Sequence, residues 1–263
     1  MGIAERLRPK IFMFISPMSY GLYLYGIFPL PGPKGLALKG LDQQTVQLAT
    51  VDGFAILYSE AQQERYLASR RNLLGHAKVL EDAMQAGYHN LLPLQFGLIV
   101  ETLEEVSRQL TGPYQAALQQ LLDRLEGCRE VGVKVFWNED QELQSLMAEN
   151  TALREQRDRL EGKTLSMEEV VTIGQAIEQA MQSRQAEIIN TFRTALNPLA
   201  IKVIENDPMT NAMIYNAAYL IRWEDEPQVS QQVEALDQRF NNRLRIRYND
   251  FTAPFNFARL EDL

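Results

Sequence analysis

Cysteine is nearly absent: Cys128 is the single one in 263 residues, so no internal disulfide can form. Histidine is almost as scarce, with His76 and His89 alone, and no paired His or Cys spacing suits a zinc site. No apolar run approaches the roughly 18 residues that a membrane-spanning helix requires. Positive charge is in deficit, 26 Lys and Arg against 34 Asp and Glu, for a formal net charge of -8. That balance disfavours a broad nucleic-acid or anionic-membrane surface while leaving room for a local basic patch. What is present is ordinary globular composition, 46% hydrophobic and 23% charged, with enough length for one large domain or two smaller ones. Disordered, collagenous and disulfide-miniprotein classes are excluded, and the chain is expected to be soluble and intracellular.

Arg6, Arg8 and Lys10 precede the apolar Ile11–Ile15 and imitate an export signal. The stretch is short, Glu5 sits among the cations, and Pro17–Tyr20 lacks a small-residue cleavage pattern. Arg6 also occupies the position where N-myristoylation requires Ser or Thr. Residues 1–19 are therefore expected to form a retained N-terminal arm.

Residues 20–127 read as an α+β domain. Gly21–Phe28 is apolar or aromatic on both alternating faces, which predicts a central strand. Pro- and Gly-rich residues 29–35 make a loop, and Asp52-Gly53 predicts a tight hairpin turn between strands near 45–51 and 54–58. Leu73, Ala77, Leu80 and Met84 predict a helix ended by Gly87. Leu91–Val100, interrupted by Pro93 and Gly97, predicts an edge or bulged strand. Thr102 and Glu105 have capping-box spacing, and a second helix with Leu118, Leu121, Leu122 and Leu125 closes at Gly127.

Residues 128–250 predict a ferredoxin-like βαββαβ domain. Val131, Val133, Val135 and Trp137 alternate as in a strand; Leu146, Leu153 and Leu160 repeat every seven and predict one amphipathic helix. Ser166 and Glu169 open a long helix that Pro198 stops, and the helix near 140–161, within an insertion over about 139–165, is extra to the motif. Strands with Leu199, Ile201 and Val203, with Met213–Ile221, and with Leu244, Ile246 and Tyr248 complete it, around a helix carrying Val229, Val233, Leu236 and Phe240. Residues 251–263 are a tail.

Catalytic chemistry finds little support. His76 beside an apolar stripe reads as a hydrogen-bonded structural histidine, His89 likewise, and Cys128 as a packed thiol. The glycines of residues 31–40 are not followed by Gly-Lys-Ser/Thr, so no phosphate loop is present. Glu104-Glu105, Glu168-Glu169 and Glu224–Glu226 fall at helix starts, where carboxylates favour the dipole. Arg243, Arg245 and Arg247 alternate along one strand; a solvated face paired with carboxylates outweighs a binding role, and an acidic protein suits such a role at least as well as RNA. The aromatics Phe251, Phe255 and Phe257 either pack back on the domain or offer an apolar hook.

In order, Tyr23-Leu24-Tyr25-Gly26-Ile27, His76 with Val79-Leu80-Glu81, Leu92–Gly97, Glu130–Val135 and Asn216–Leu220 make the chain similar to the gas vesicle accessory proteins of the F/L family. The likeness runs from about Tyr20 to Phe257, with Gln95 standing where Arg is expected. The resemblance implies a non-enzymatic cytoplasmic protein associated with gas vesicles, the shells that give buoyancy; no cofactor, metal, nucleic acid or lipid membrane is expected. The implied partners are the main shell protein and other accessory proteins, and the implied role is that of a minor shell component or an assembly factor limiting aggregation of the apolar shell subunit. Candidate contact residues are Leu146, Leu153 and Leu160 of the insertion, Arg243, Arg245 and Arg247, and Phe255 and Phe257 of the tail. The alternative reading is a ferredoxin-like RNA-binding or small-molecule sensing module.

Overall fold

The computed structural model describes residues 20–160, 166–241 and 243–260. The expected arm of residues 1–19 lies outside them. The chain divides into two compact units, one comprising residues up to Val79 with Leu94–Gln115, the other Leu80–Pro93 with the chain from Ala116 onward.

In the first unit, β1 (Leu22–Pro29) is interior, antiparallel to β3 (Phe54–Glu60), which in turn pairs with β2 (Gln47–Val51). The six residues Tyr23–Phe28 of β1 are buried, as a strand apolar on both faces requires. Asp52 and Gly53 both take positive φ, 48° and 87°, giving the expected tight turn of the β2–β3 hairpin. Tyr25 reaches under the loop: its hydroxyl accepts from Leu41 N at 2.9 Å and bonds Ser59 Oγ at 2.9 Å. A Cβ on Gly40 would lie 2.0 Å from that hydroxyl, so only glycine fits there.

Helix α1 (Arg70–Gln85) buries His76, Val79, Leu80, Ala83 and Met84. Leu73, expected on the buried stripe, is instead 43% exposed. The single strand expected over Leu91–Val100 is two fragments, β4 (Leu92–Pro93) and β5 (Ile99–Val100). Pro93 has no N–H to extend the ladder, and Gly97 at φ 91° turns the chain. β5 pairs with the start of β1, Leu22 against Val100. Thr102 then caps α2 (Leu103–Val106), its side chain accepting from Glu105 N; Glu105 reaches back one residue further than a capping box, to Glu101 N at 2.9 Å. A π-helical turn (Ser107–Thr111) follows, ending where Gly112-Pro113 stands.

Helix α3 (Gln115–Leu125) leads into the second unit and buries Leu118, Leu121, Leu122 and Leu125. There β6 (Cys128–Trp137), β7 (Lys202–Glu205), β8 (Met213–Arg222) and β9 (Leu244–Thr252) form a sheet in the order β7-β8-β6-β9, every pair antiparallel. With α6 (Met167–Leu196) between β6 and β7 and α7 (Glu226–Phe240) between β8 and β9, this is the ferredoxin-like βαββαβ arrangement. Val131, Val133 and Val135 of β6 meet Ile188, Phe192 and Leu196 of α6 and Val229, Val233 and Leu236 of α7 in one core. A side chain of this size contributes about 1.5–3 kcal/mol on full burial. The capping box that opens α6 is complete: Ser166 Oγ accepts from Glu169 N at 3.3 Å, and Glu169 Oε2 from Ser166 N at 2.9 Å.

The helical insertion departs from expectation. Where one helix was expected, there are two, α4 (Glu139–Glu149) and α5 (Thr151–Leu160), broken at Asn150. Asn150 leaves helical geometry at ψ 89°; its N–H still bonds Leu146 O, while its side-chain oxygen accepts from Leu153 N at 3.0 Å. One residue thus ends the first helix and caps the second.

Candidate partner-binding surface

Strand β9 is at the edge of its sheet and pairs with β6 alone. The register sets Arg245 opposite Phe136 and Arg247 opposite Lys134, so the two-residue period puts both arginines on one exposed face. Their guanidinium carbons lie 4.5 and 5.2 Å from the Phe136 ring centroid. The expected carboxylate partners are replaced by an aromatic ring, which attracts cations through its quadrupole.

Arg243 does not join them, so the expected stripe of three is a pair. It precedes the strand and turns to Glu142 of α4, Nη2 to Oε2 at 2.6 Å. Arg184 of α6 reaches the same carboxylate, Nε to Oε2 at 3.0 Å, and bonds Glu149 with its Nη2 at 2.7 Å. Glu142 is 1% exposed. A carboxylate so deep is stable as an anion only when paired, and two guanidinia supply that pairing. An open cleft of about 680 Å³ between α4, α6 and α7 contains Arg184 and Arg243, whose charges Glu142 and Glu149 already neutralise.

Two of the three candidate leucines of the insertion face inward. Leu146 and Leu153 are buried with Met147, and Ile173, Ile177, Ala180 and Met181 of α6 pack against them. These two side chains hold the insertion to the long helix and are not open to a partner. The side chain of Leu160 lies outside the described residues.

The tail packs back. Phe257 is buried and Phe255 half-buried, while Asn256 between them donates from its N–H to Glu130 Oε2 at 2.9 Å and from Nδ2 to Oε1 at 2.6 Å. Burial pushes the Glu130 carboxyl up to about 7, against the opposing pull of these bonds and of Arg259. The neighbouring Arg129 donates to Asp250 O and lies against two rings, 4.6 Å from the centroid of Trp223 and 5.4 Å from that of Phe251. His89 stacks on the same Trp223, with ring centroids 3.7 Å apart. The tail is therefore fastened at two adjacent residues of β6.

His76 is a structural histidine. Its Nδ1 accepts from the Tyr23 hydroxyl at 2.9 Å and its Nε2 donates to Leu94 O at 3.0 Å, a tautomer assigned from these partners. Burial pulls it down to about 4, so it is neutral at physiological pH. Cys128 is buried, with its thiol raised by that burial and directed at the Arg124 and Glu126 carbonyls. Among the described residues no cluster of His, Cys, Asp and Glu could hold a metal, and no helix is long and apolar enough to cross a membrane. Sequence reasoning missed Glu142, Arg184, Glu130 and Asn256. Their partners lie 101 and 126 residues apart for the Glu142–Arg243 and Glu130–Asn256 pairs, and no local spacing signals such contacts.

The polar clusters thus brace the fold, and the arrangement defines a class: a two-sheet α+β protein with a ferredoxin-like unit enlarged by a helical insertion. A family model for "Gas vesicle synthesis protein GvpL/GvpF" matches residues 21–259. The chain belongs to that family. It is 58% identical over 243 residues to Gas vesicle protein F of Nostoc sp. (strain PCC 7120 / SAG 25.82 / UTEX 2576), covering 92% of this chain and 100% of the relative. It is 54% identical to Gas vesicle protein F of Microcystis aeruginosa (strain PCC 7806), with the same coverage. The crystal structure of GvpF from Microcystis aeruginosa superposes with a TM-score of 0.80 at 54% identity, covering 92% of this chain and 100% of that one. That of GvpF from Anabaena sp. PCC7120 gives 0.79, over 91% and 96%. The family consists of gas vesicle proteins and is not a known enzyme family.

Proposed function

We propose that this protein binds the main gas vesicle shell protein in the cytoplasm and keeps its apolar surface from associating wrongly until it joins the wall, making and breaking no covalent bond. The observation that carries the reading is membership of the GvpL/GvpF family over residues 21–259. A net charge of -8 suits a carrier that must stay dispersed while it holds an apolar client. Of the contact residues anticipated from the sequence, Arg245 and Arg247 stand exposed, and we assign them to the rim of a contact with an acidic part of a vesicle protein. The role is that of an assembly factor or minor shell component.

The RNA-binding reading loses its footing here. Sequence-specific RNA recognition on such a sheet needs open aromatics for base stacking. Phe136, Tyr215 and Tyr219 are buried, and Trp137, Tyr248 and Phe251 are half-buried. Co-expression of the affinity-tagged full chain with the shell protein tests the proposal: shell protein co-elutes with the tagged chain, and its absence from the eluate overturns the reading.

A further inference from the structure

The client-binding role proposed above calls for an apolar surface, and Leu146 and Leu153, two of the candidates for it, are buried. We infer that the start of α1 supplies it: Leu67, Leu73 and Leu74, bordered by Arg65, Arg70 and Arg71, form a docking surface for an amphipathic segment of the shell subunit whose apolar stripe is flanked by carboxylates. The inference rests on the proposed function for the partner's identity and on this surface alone for its chemistry.

The backbone holds these leucines outward. Tyr66 is buried and its hydroxyl donates to Asp42 Oδ2 and accepts from Gln62 N, each at 3.0 Å, which fixes the loop entering the helix. Leu67 then projects with 76% of its surface exposed. Its carbonyl is pinned by Ser69 N at 2.7 Å and by Asn72 Nδ2 at 3.0 Å. Leu74, 59% exposed, is on the outer side of α1. Leu73 is more telling. Leu80 and Met84 follow it on one stripe of the helix by the 3.6-residue repeat, and both are buried, yet Leu73 is 43% exposed. The apolar stripe that serves the core runs on past the core to an uncovered end.

Three arginines stand beside it. Residues 64–74 carry Arg65, Arg70 and Arg71 against the single carboxylate Glu64, in a protein whose net charge is -8. The first turn of α1 has no acidic residue and holds Arg70 and Arg71. Cations there oppose the helix dipole. Arg65, Arg70 and Arg71 are exposed and make no ion pair among the described residues. An incoming segment with carboxylates beside its apolar stripe relieves both defects at once: it covers three leucines and supplies the anions that the helix start lacks.

The test uses the tagged full chain co-expressed with the shell protein, as wild type, as Leu67→Ser/Leu73→Ser/Leu74→Ser and as Arg70→Glu/Arg71→Glu. Thermal melts check that the substituted chains fold. Retained shell protein is expected to fall at least about tenfold in both variants. Wild-type retention is expected to weaken between about 0.05 and about 0.5 M NaCl, a dependence the arginine variant loses. Full retention by folded variants, alongside wild-type binding, overturns the docking surface and leaves the proposed function standing; no retention by wild type overturns both. Sedimentation and flotation with phosphatidylglycerol–phosphatidylcholine vesicles cover other occupants. A wild-type dimer that the leucine substitutions dissociate, or vesicle binding that they abolish, with shell retention unchanged, also overturns the inference.

Discussion

Glu130 and Asn256 stand 126 residues apart in the chain and are joined by two hydrogen bonds, Asn256 N–H to Oε2 at 2.9 Å and Nδ2 to Oε1 at 2.6 Å. Both oxygens of a carboxyl that is 4% exposed are thereby satisfied by a single residue of the tail. Phe257, which follows Asn256, is 1% exposed.

Asn256→Ala removes the Nδ2 donor and leaves Glu130 Oε1 buried without it. The expected cost is about 1–3 kcal/mol, that of an unsatisfied buried polar group. Urea denaturation measures it, and limited proteolysis is expected to cut the tail faster in the variant than in wild type. Equal stability and equal cleavage would show that the tail is held by its aromatics alone.

Glu130 and His76 act on pH dependence with opposite signs. Glu130 is raised from 4.5 to about 7 by burial, so the folded chain keeps a proton that the unfolded chain releases. Its contribution to stability is full below pH 4.5 and is lost as pH rises through about 7. His76 is lowered from 6.5 to about 4 by burial, so the unfolded chain takes up a proton that the folded chain refuses. Its contribution is full above pH 6.5 and is lost as pH falls through about 4. In urea titrations across this range, Glu130→Gln therefore becomes more stable relative to wild type as pH rises, and His76→Gln becomes less stable relative to wild type. Parallel curves for all three proteins would contradict the assignment.

Glu142 anchors α4 to both α6 and the start of β9 through Arg184 and Arg243. Glu142→Ala leaves Arg184, whose side chain is 10% exposed, with Glu149 alone. Removing one partner of a buried pair costs about 3–5 kcal/mol. Arg243→Ala is expected to cost less, because that side chain is 35% exposed and its loss leaves Arg184 on the carboxylate. Chemical denaturation of the two variants gives the order, and the reverse order would place the main tie at Arg243.

Much of the architecture was legible because its signals are local. The Asp52-Gly53 turn, the complete capping box at Ser166 and Glu169, and the alternation of Val131, Val133 and Val135 each follow from a few neighbouring residues. The strands of the second unit could be ordered because a β-α-β-β-α-β succession of period-two strands and helices leaves few topologies open. The misreadings have physical reasons. A heptad repeat through Leu146 and Leu153 does not reveal that Asn150 between them offers its side chain to the backbone and breaks the helix. Helical spacing assigned Leu73 to the core, but how far the core extends is a tertiary matter. The contact surface was least legible. Arg243 is paired with Glu142, 101 residues away, and Asn256, next to Phe257, is bonded to Glu130, 126 residues away.

The most direct test of the central claim is light scattering of denatured shell protein diluted into buffer with increasing amounts of the purified full chain. The account predicts that scattering falls as the chain is added and levels off at a fixed molar ratio, with both proteins in one size-exclusion peak. Scattering that is unchanged at every ratio, with the two proteins eluting apart, would contradict it.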